Sequence, residues 1–203
     1  MGPAGEPSGA ADPLPDIPDA VRAAASEAPG HWLGVVDPQW PGDRPPPDWA
    51  LVGEWRSDEN GAVREYRPNS RYRPSAPVLG WPEPTDPVDA AAQRAATGYG
   101  STEDALAALA SAEVSVVRGA DGRPLTAAGE DGKPVVLAFT SPAHRFTSAP
   151  LIHDTLSAAE LARDLRGSQA LLMVNAMAAA PLVVPVDSLP DPTAPVPPAG
   201  STP

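Results

Sequence analysis

The sequence predicts an α+β fold: a mixed β-sheet with a few packed helices, an N-terminal β-hairpin region and disordered tails. Helix-like and strand-like segments are mixed along residues 86–190, and several are joined by connections of hairpin length. All five tryptophans lie within residues 31–85, in a block of different composition. Both ends are rich in small residues and proline, and they have too few large apolar side chains to offset the entropy cost of folding.

These observations divide the 203 residues into four segments. We predict a disordered N-terminal tail at 1–18, a Trp-rich β-hairpin and loop extension at 19–85, an α+β domain at 86–190, and a Pro-rich disordered tail at 191–203. A short helix at 19–28 is compatible with the sequence of the second segment.

The extension contains three strand-like runs. HWLGVVDP reads as a strand that ends at Asp37-Pro38. The runs ALVGEWR at 50–56 and AVREY at 62–66 are separated by SDENG, whose final Asn60-Gly61 suits a hairpin turn. Leu51 and Trp55 then share one face, since side chains two or four residues apart in a strand point the same way.

Helix boundaries in the 86–190 domain are marked by capping residues. Asp86 at the N-cap, Pro87 at the first helical position and Gly98 after the last turn define one helix. A second helix at 101–111 is capped by Ser101. A third runs over 157–167, where Ser157 and the acid three residues later form a capping box.

Apolar runs between these helices predict the strands of the sheet. They lie at 113–117, 123–127, 133–140, 150–155, 170–175 and 181–186. Thr140-Ser141-Pro142 reads as a cap that opens a short helical turn after the third of these runs.

Composition excludes several classes of function. The chain has no cysteine, so it has no thiolate metal site and no thiol nucleophile. The chain has 14 Lys and Arg but 26 Asp and Glu, and its net charge of −12 argues against nucleic acid as a partner. No apolar run is long enough to cross a membrane. The N-terminus lacks the basic and apolar regions of a signal peptide, so we expect no membrane insertion and a cytoplasmic location.

No catalytic, cofactor or metal site rises above background in the sequence, and we expect a protein that is not an enzyme and has no cofactor. Ser141 and His144 are three residues apart, which leaves open a small-molecule-sensing or hydrolytic domain that uses both. His144, His153 and Asp154 are a conceivable Zn or Ni site, but their spacing matches no ligand motif.

The segment REYRPNSRYRP at 64–74 is the one concentration of positive charge, and Tyr66 and Tyr72 lie among its four arginines. Arg, Tyr and Trp are enriched at the energetic centres of protein interfaces. We therefore predict a partner-binding surface from residues in and near this segment: Trp40, Arg71, Tyr72, Arg73 and Trp81. The other interpretation, equally compatible with the sequence, is that these side chains pin a long loop to the core.

Several strings resemble known bacterial proteins. HWLGVVDPQWPGDRPPPDWALVGEWRSDENG, NSRYRPS and GWPEPTDPVDAAAQRAATGYGS resemble the actinobacterial type VII secretion system-associated proteins over about residues 19–190. ALAALASAEVSVV, GKPVVLAFTSPAHR and ALLMVN are similar to the SseB N-terminal domain over about residues 86–190. Such proteins usually have Asn-Pro-Gly or Asn-Pro-Ser after the penultimate strand, whereas this chain has NAMAAAP, which keeps Asn175 alone.

The resemblance implies an α+β domain and an accessory or adaptor role in type VII secretion through protein–protein binding. The implied partner is a protein, such as a secretion-system component or substrate. The family carries no established catalytic residues, so the resemblance assigns none here.

Overall fold

The computed structural model describes residues 14–129, 132–148 and 150–189. Most of the predicted tail at 1–18 and all of the tail at 191–203 lie outside the described residues. The chain forms two compact units that divide between Pro74 and Ser75.

This division falls before the boundary expected at 85/86, and hydrogen bonds explain the difference. Gln93 Nε2 donates to the Pro82 carbonyl at 3.2 Å, and the Thr85 N–H donates to Asp89 Oδ2 at 2.9 Å. The end of the 75–85 segment is therefore held by the helix that follows it, to which Asp89 and Gln93 belong.

The first unit is a three-stranded antiparallel sheet with one helix. Its elements are α1 (Asp19–Glu27), β1 (Trp32–Val36), a 3₁₀ turn (Asp48–Ala50), β2 (Leu51–Ser57) and β3 (Val63–Pro68). The predicted hairpin forms β2 and β3, and β1 pairs with the other side of β2, which gives the strand order β1-β2-β3.

The two faces of this sheet differ in polarity. One face carries Trp55, which is buried, and its cross-strand partner Tyr66, with ring centroids 4.4 Å apart. The helix α1 packs against β1 and β2 and buries Val21 and Ala25. Gly53 is required here, because a Cβ at this position would lie 2.8 Å from the Arg67 carbonyl oxygen.

The second unit contains the other helices and strands. They are α2 (Pro87–Thr97), α3 (Thr102–Ala110), β4 (Glu113–Val117), β5 (Thr126–Ala128), β6 (Pro134–Phe139), a 3₁₀ segment (Pro142–Ser148), β7 (His153–Ser157), α4 (Ala158–Leu165), β8 (Leu171–Val174), β9 (Leu182–Pro185) and a 3₁₀ turn (Val186–Ser188). The strands follow the order β7-β4-β6-β8-β9, and β5 also pairs with β6. Only β6 and β8 are parallel among these pairs, so the sheet is mixed and the predicted α+β class is confirmed.

One face of this sheet holds the core. Side chains at alternate positions of the strands pack against the helices of this unit. The strands contribute Val114, Val136, Leu172 and Val184, and α3 and α4 contribute Leu109 and Leu161. In β4 the sequence shows this alternation, with Val114 and Val116 between Glu113 and Ser115, whereas β6, β8 and β9 are apolar at every position.

The opposite face of the sheet is also apolar but more exposed. Leu137, Met173 and Val183 lie side by side in the register of β6, β8 and β9. Leu137 is 36 % exposed and Val183 is 55 % exposed. These side chains therefore bury less apolar surface, and contribute less to stability, than those on the core face of the sheet.

Candidate functional site

Asn69 organises the loop that carries the predicted arginines. Its Nδ2 donates to the Leu51 carbonyl at 2.8 Å, and its Oδ1 accepts from the Arg71 N–H at 3.0 Å. The Tyr72 N–H donates to the Asn69 carbonyl at 3.1 Å. The turn after β3 is thereby fixed against the start of β2, and the Arg71 side chain points into solvent.

Arg71 and Arg67 border a cleft of about 300 Å³ at this end of the hairpin. The Arg71 guanidinium lies 2.7 Å from the carboxylate of Asp48, and that of Arg67 lies 3.7 Å from Glu54. Both arginine side chains are more than half exposed, at 74 % and 61 %. Such exposed ion pairs contribute only about 0–1 kcal/mol each to the free energy of unfolding, because water and salt screen them.

Tyr72 has an anchoring role. Its hydroxyl donates to Asp37 Oδ2 at 2.6 Å, and Asp37 is buried. The neighbouring Arg73 is exposed, and its N–H donates to the Trp49 carbonyl. Of the predicted surface residues around this turn, Arg71 and Arg73 face solvent, whereas Tyr72 ties the turn to the unit beneath it.

Trp40 is half-buried against Trp49, with ring centroids 5.4 Å apart in an edge-to-face arrangement. The Arg44 guanidinium lies 4.4 Å from the centre of the Trp40 ring, and Trp40 Nε1 donates to the Arg44 carbonyl. Trp81 belongs to the second unit and is also half-buried. The five predicted residues are therefore divided between the two units.

The sequence analysis did not identify the charged face of the first sheet, which is the face opposite Trp55. Trp32 lies opposite Arg56 in the register, and the Arg67 guanidinium is 4.3 Å from the Trp32 ring centre. Glu54 and Glu65 pair with these arginines across β2 and β3. Alternating charged residues in EWR and VREYR were the available signal, since residues two apart share a face.

In the second unit, polar side chains converge at the carboxyl ends of the two parallel strands. Thr140 directly follows β6 and Asn175 directly follows β8. Asn175 Oδ1 accepts from the Thr140 N–H at 3.0 Å, and its Nδ2 donates to Thr140 Oγ1 at 2.7 Å. Asn175 is buried with φ of 51°, a left-handed conformation that asparagine tolerates well.

Asp86 extends this network to the start of α2. Its Oδ1 accepts from the N–H groups of Val88 and Asp89, as the predicted N-cap should, and its Oδ2 accepts from Thr140 Oγ1 at 2.6 Å. Burial raises the pKa of Asp86, but hydrogen bonds from Thr140, the Asp89 amide, Thr85 and the Val88 amide together lower it below its usual value.

His144 is buried and bound to the same cluster. Its Nε2 lies 2.8 Å from Thr85 Oγ1 and 3.4 Å from Asp89 Oδ2. Ser141 instead accepts the Ala143 N–H at 3.1 Å and so opens the 3₁₀ segment as predicted. A Ser–His nucleophile needs the hydroxyl on one ring nitrogen and an orienting acid on the other. Here a threonine hydroxyl and a carboxylate share Nε2, and Ser141 serves as a cap.

The candidate metal ligands have other partners. His153 Nε2 lies 3.1 Å from Ser148 Oγ, and Arg118 Nε donates to Asp154 at 2.8 Å. Within residues 14–129, 132–148 and 150–189, no group of three or more His, Asp or Glu side chains is arranged to hold a metal ion. Over the same residues, no helix is long and apolar enough to cross a membrane.

The fold and these sites define a two-unit α+β protein with an arginine-bordered cleft. No family model, no curated protein and no solved structure matches the chain.

Proposed function

We propose that this protein is a non-enzymatic accessory or adaptor protein that acts by binding another protein. The observation that supports this proposal is the cleft between Arg67 and Arg71, where two guanidinium groups flank a depression large enough for a side chain. Guanidinium groups bind carboxylates through two parallel hydrogen bonds, which gives both affinity and orientation.

The ion pairs at the cleft favour exchange with a partner. Asp48 and Glu54 hold the two arginines in exposed pairs of low net energy. A carboxylate that a partner brings in replaces either acid at little cost and gains strength as the interface excludes water. Arg73 is exposed two residues after Arg71, and we include it in the proposed surface.

We further propose that the partner is a component or substrate of a type VII secretion system and that the protein acts in the cytoplasm. The support is the resemblance of the tryptophan-containing strings to secretion-associated proteins. A strain that lacks the gene should then export less of the substrates of that system, and an unchanged set of exported proteins would count against the secretion role.

The binding role is tested with a double variant, Arg67→Ala with Arg71→Ala. The matched control is Arg22→Ala with Arg64→Ala, which removes two arginines from exposed ion pairs elsewhere in the same unit. The tagged proteins are expressed in the native host, treated with a reversible crosslinker, purified and compared by quantitative mass spectrometry.

We expect the cleft variant to lose a crosslinked protein that the wild type and the control retain, at a melting temperature within a few degrees of the wild type. Equal recovery of every crosslinked protein from the cleft variant and the control would show that the cleft is not the binding surface.

A further inference from the structure

The first unit has a free sheet edge at β1. This strand pairs with β2 on one side, and no second partner strand lies beside it within the described residues. The Ser57 N–H donates to the His31 carbonyl, so His31, Leu33 and Val35 direct their backbone groups to β2. In an antiparallel pair the intervening residues alternate, so the N–H and C=O groups of Trp32 and Gly34 face the free edge.

A groove of about 430 Å³ runs along this edge between β1 and α1. The helix contributes Ala20, Val21 and Ala24, its N-cap residue Pro18 lies beside them, and the strand contributes all five of its residues, Trp32–Val36. Every lining side chain is uncharged. Ala20 and Ala24 lie one turn apart on the helix, and their small size leaves room above the strand.

A groove between a helix and a free strand edge suits an extended peptide. The backbone of the peptide adds to the edge as a new strand, and alternate side chains enter the groove. The length of β1, about 17 Å at ~3.3 Å per residue, accommodates two or three such side chains.

Acidic residues at the two ends of α1 favour basic residues at the ends of a bound peptide. Asp19 and Glu27 are exposed at the two ends of α1, and Asp16 precedes it. Arg22 pairs with Asp19 at 2.7 Å. The Arg56 and Arg67 guanidiniums beside Trp32 pair with Glu65 and Glu54, so Asp16 and Glu27 leave the surroundings of the groove with an excess of negative charge. An apolar segment flanked by Lys or Arg complements this rim.

A second copy of the chain suits the groove less well. Stable dimers bury about 1,200–2,000 Å² in total, more than a five-residue strand edge and its groove supply. Pairing two copies edge to edge would also bring two acidic α1 rims together.

We propose that the groove between α1 and β1 binds an extended peptide segment of another protein, apolar at alternate positions and flanked by basic residues, as a fourth strand beside β1. The groove and the cleft share no lining residue, but they adjoin where the Arg67 guanidinium lies 4.3 Å from the Trp32 ring centre. A substitution at Ala24 leaves Arg67 and Arg71 in place, so it tests the groove without changing the cleft.

The test begins with a displayed library of random nine-residue peptides panned against the full-length protein. We expect enriched peptides to alternate apolar residues and to carry Lys or Arg at their ends. The best peptide, labelled with fluorescein, is then titrated with the wild type and with Ala24→Lys, which places a cationic side chain in the groove. Ala23→Lys is the matched control, because Ala23 is exposed on the same helix and does not line the groove.

We expect Ala24→Lys to weaken peptide binding by about tenfold or more, while Ala23→Lys changes it by less than about threefold. Hydrogen exchange at the Trp32 and Gly34 amides should slow when the peptide binds. Equal binding by both variants, enrichment of acidic peptides, no enrichment, or unprotected β1 amides would each overturn the proposal. A wild-type dimer that Ala24→Lys converts to a monomer would instead assign the groove to a second copy.

Discussion

Asn175 holds Thr140 through two hydrogen bonds, one to its N–H and one to its hydroxyl oxygen. The Thr140 hydroxyl has a single proton, which it donates to Asp86. Its oxygen is therefore free to accept from the Asn175 amide, and the three side chains form a directional chain. This chain joins the carboxyl ends of β6 and β8 to the start of α2.

Replacing Asn175 should destabilise the second unit. Asn175→Ala leaves the half-buried Thr140 N–H without its acceptor, and we expect a loss of about 1–3 kcal/mol in the free energy of unfolding by urea titration. Asn175→Asp should cost at least as much, because the Thr140 hydroxyl would then face two carboxylates with one proton. An aspartate variant as stable as the wild type would contradict the inferred direction of these bonds.

The lowered pKa of Asp86 should make stability depend on acid pH. The pKa of the Asp86 carboxyl is near its usual 3.8 in the unfolded state and below that value in the folded state. At a pH between these two pKa values, the unfolded state therefore binds more protons than the folded state. The contribution of Asp86 is complete above the unfolded pKa and is lost as the pH falls through the folded pKa. Asp86→Asn keeps a capping side chain but does not titrate, so its stability should fall less steeply below about pH 4. Parallel curves for the two proteins in urea titrations across this range would refute the assignment.

The two faces of the second sheet should respond differently to truncation. Leu172 is fully buried on the core face, and Leu172→Ala should cost about 2–5 kcal/mol through lost burial and the cavity that remains. Val183 is 55 % exposed on the opposite face, and Val183→Thr should change stability by no more than about 0.5 kcal/mol. Chemical denaturation of both variants checks the contrast. A large loss in Val183→Thr would show that another surface covers this face.

Tyr72 should contribute more to the stability of the first unit than Arg71 does. Tyr72→Phe removes the donor to the buried Asp37 carboxylate and should cost about 1–3 kcal/mol. Arg71→Ala removes only an exposed ion pair and should cost at most about 1 kcal/mol. Thermal and urea unfolding of the two variants provides the comparison, and similar losses would mean that Arg71 has a packing role as well.

The strands show where local patterns lose accuracy. The run at 150–155 predicted a strand, whereas β7 spans His153–Ser157. Its position is fixed by pairing with β4, in which Val117 lies opposite His153 and Glu113 opposite Ser157. The run at 123–127 likewise became β5 at Thr126–Ala128, because its pairing with β6 begins at Val136. Neither register is encoded within the run itself.

The sequence by itself determined where α2, α3 and α4 begin and where α2 ends. Asp86, Pro87 and Gly98 bound α2, and the capping box of Ser157 and Glu160 starts α4, because these contacts span only a few residues and every partner is visible in the local string. The tertiary structure alone decided the strand order, the parallel pairing of β6 with β8, and the partners of Asp86, His144 and Tyr72. Those partners lie tens of residues away, at Thr140, Thr85 and Asp37, and only the packing of the complete units brings them within hydrogen-bond distance.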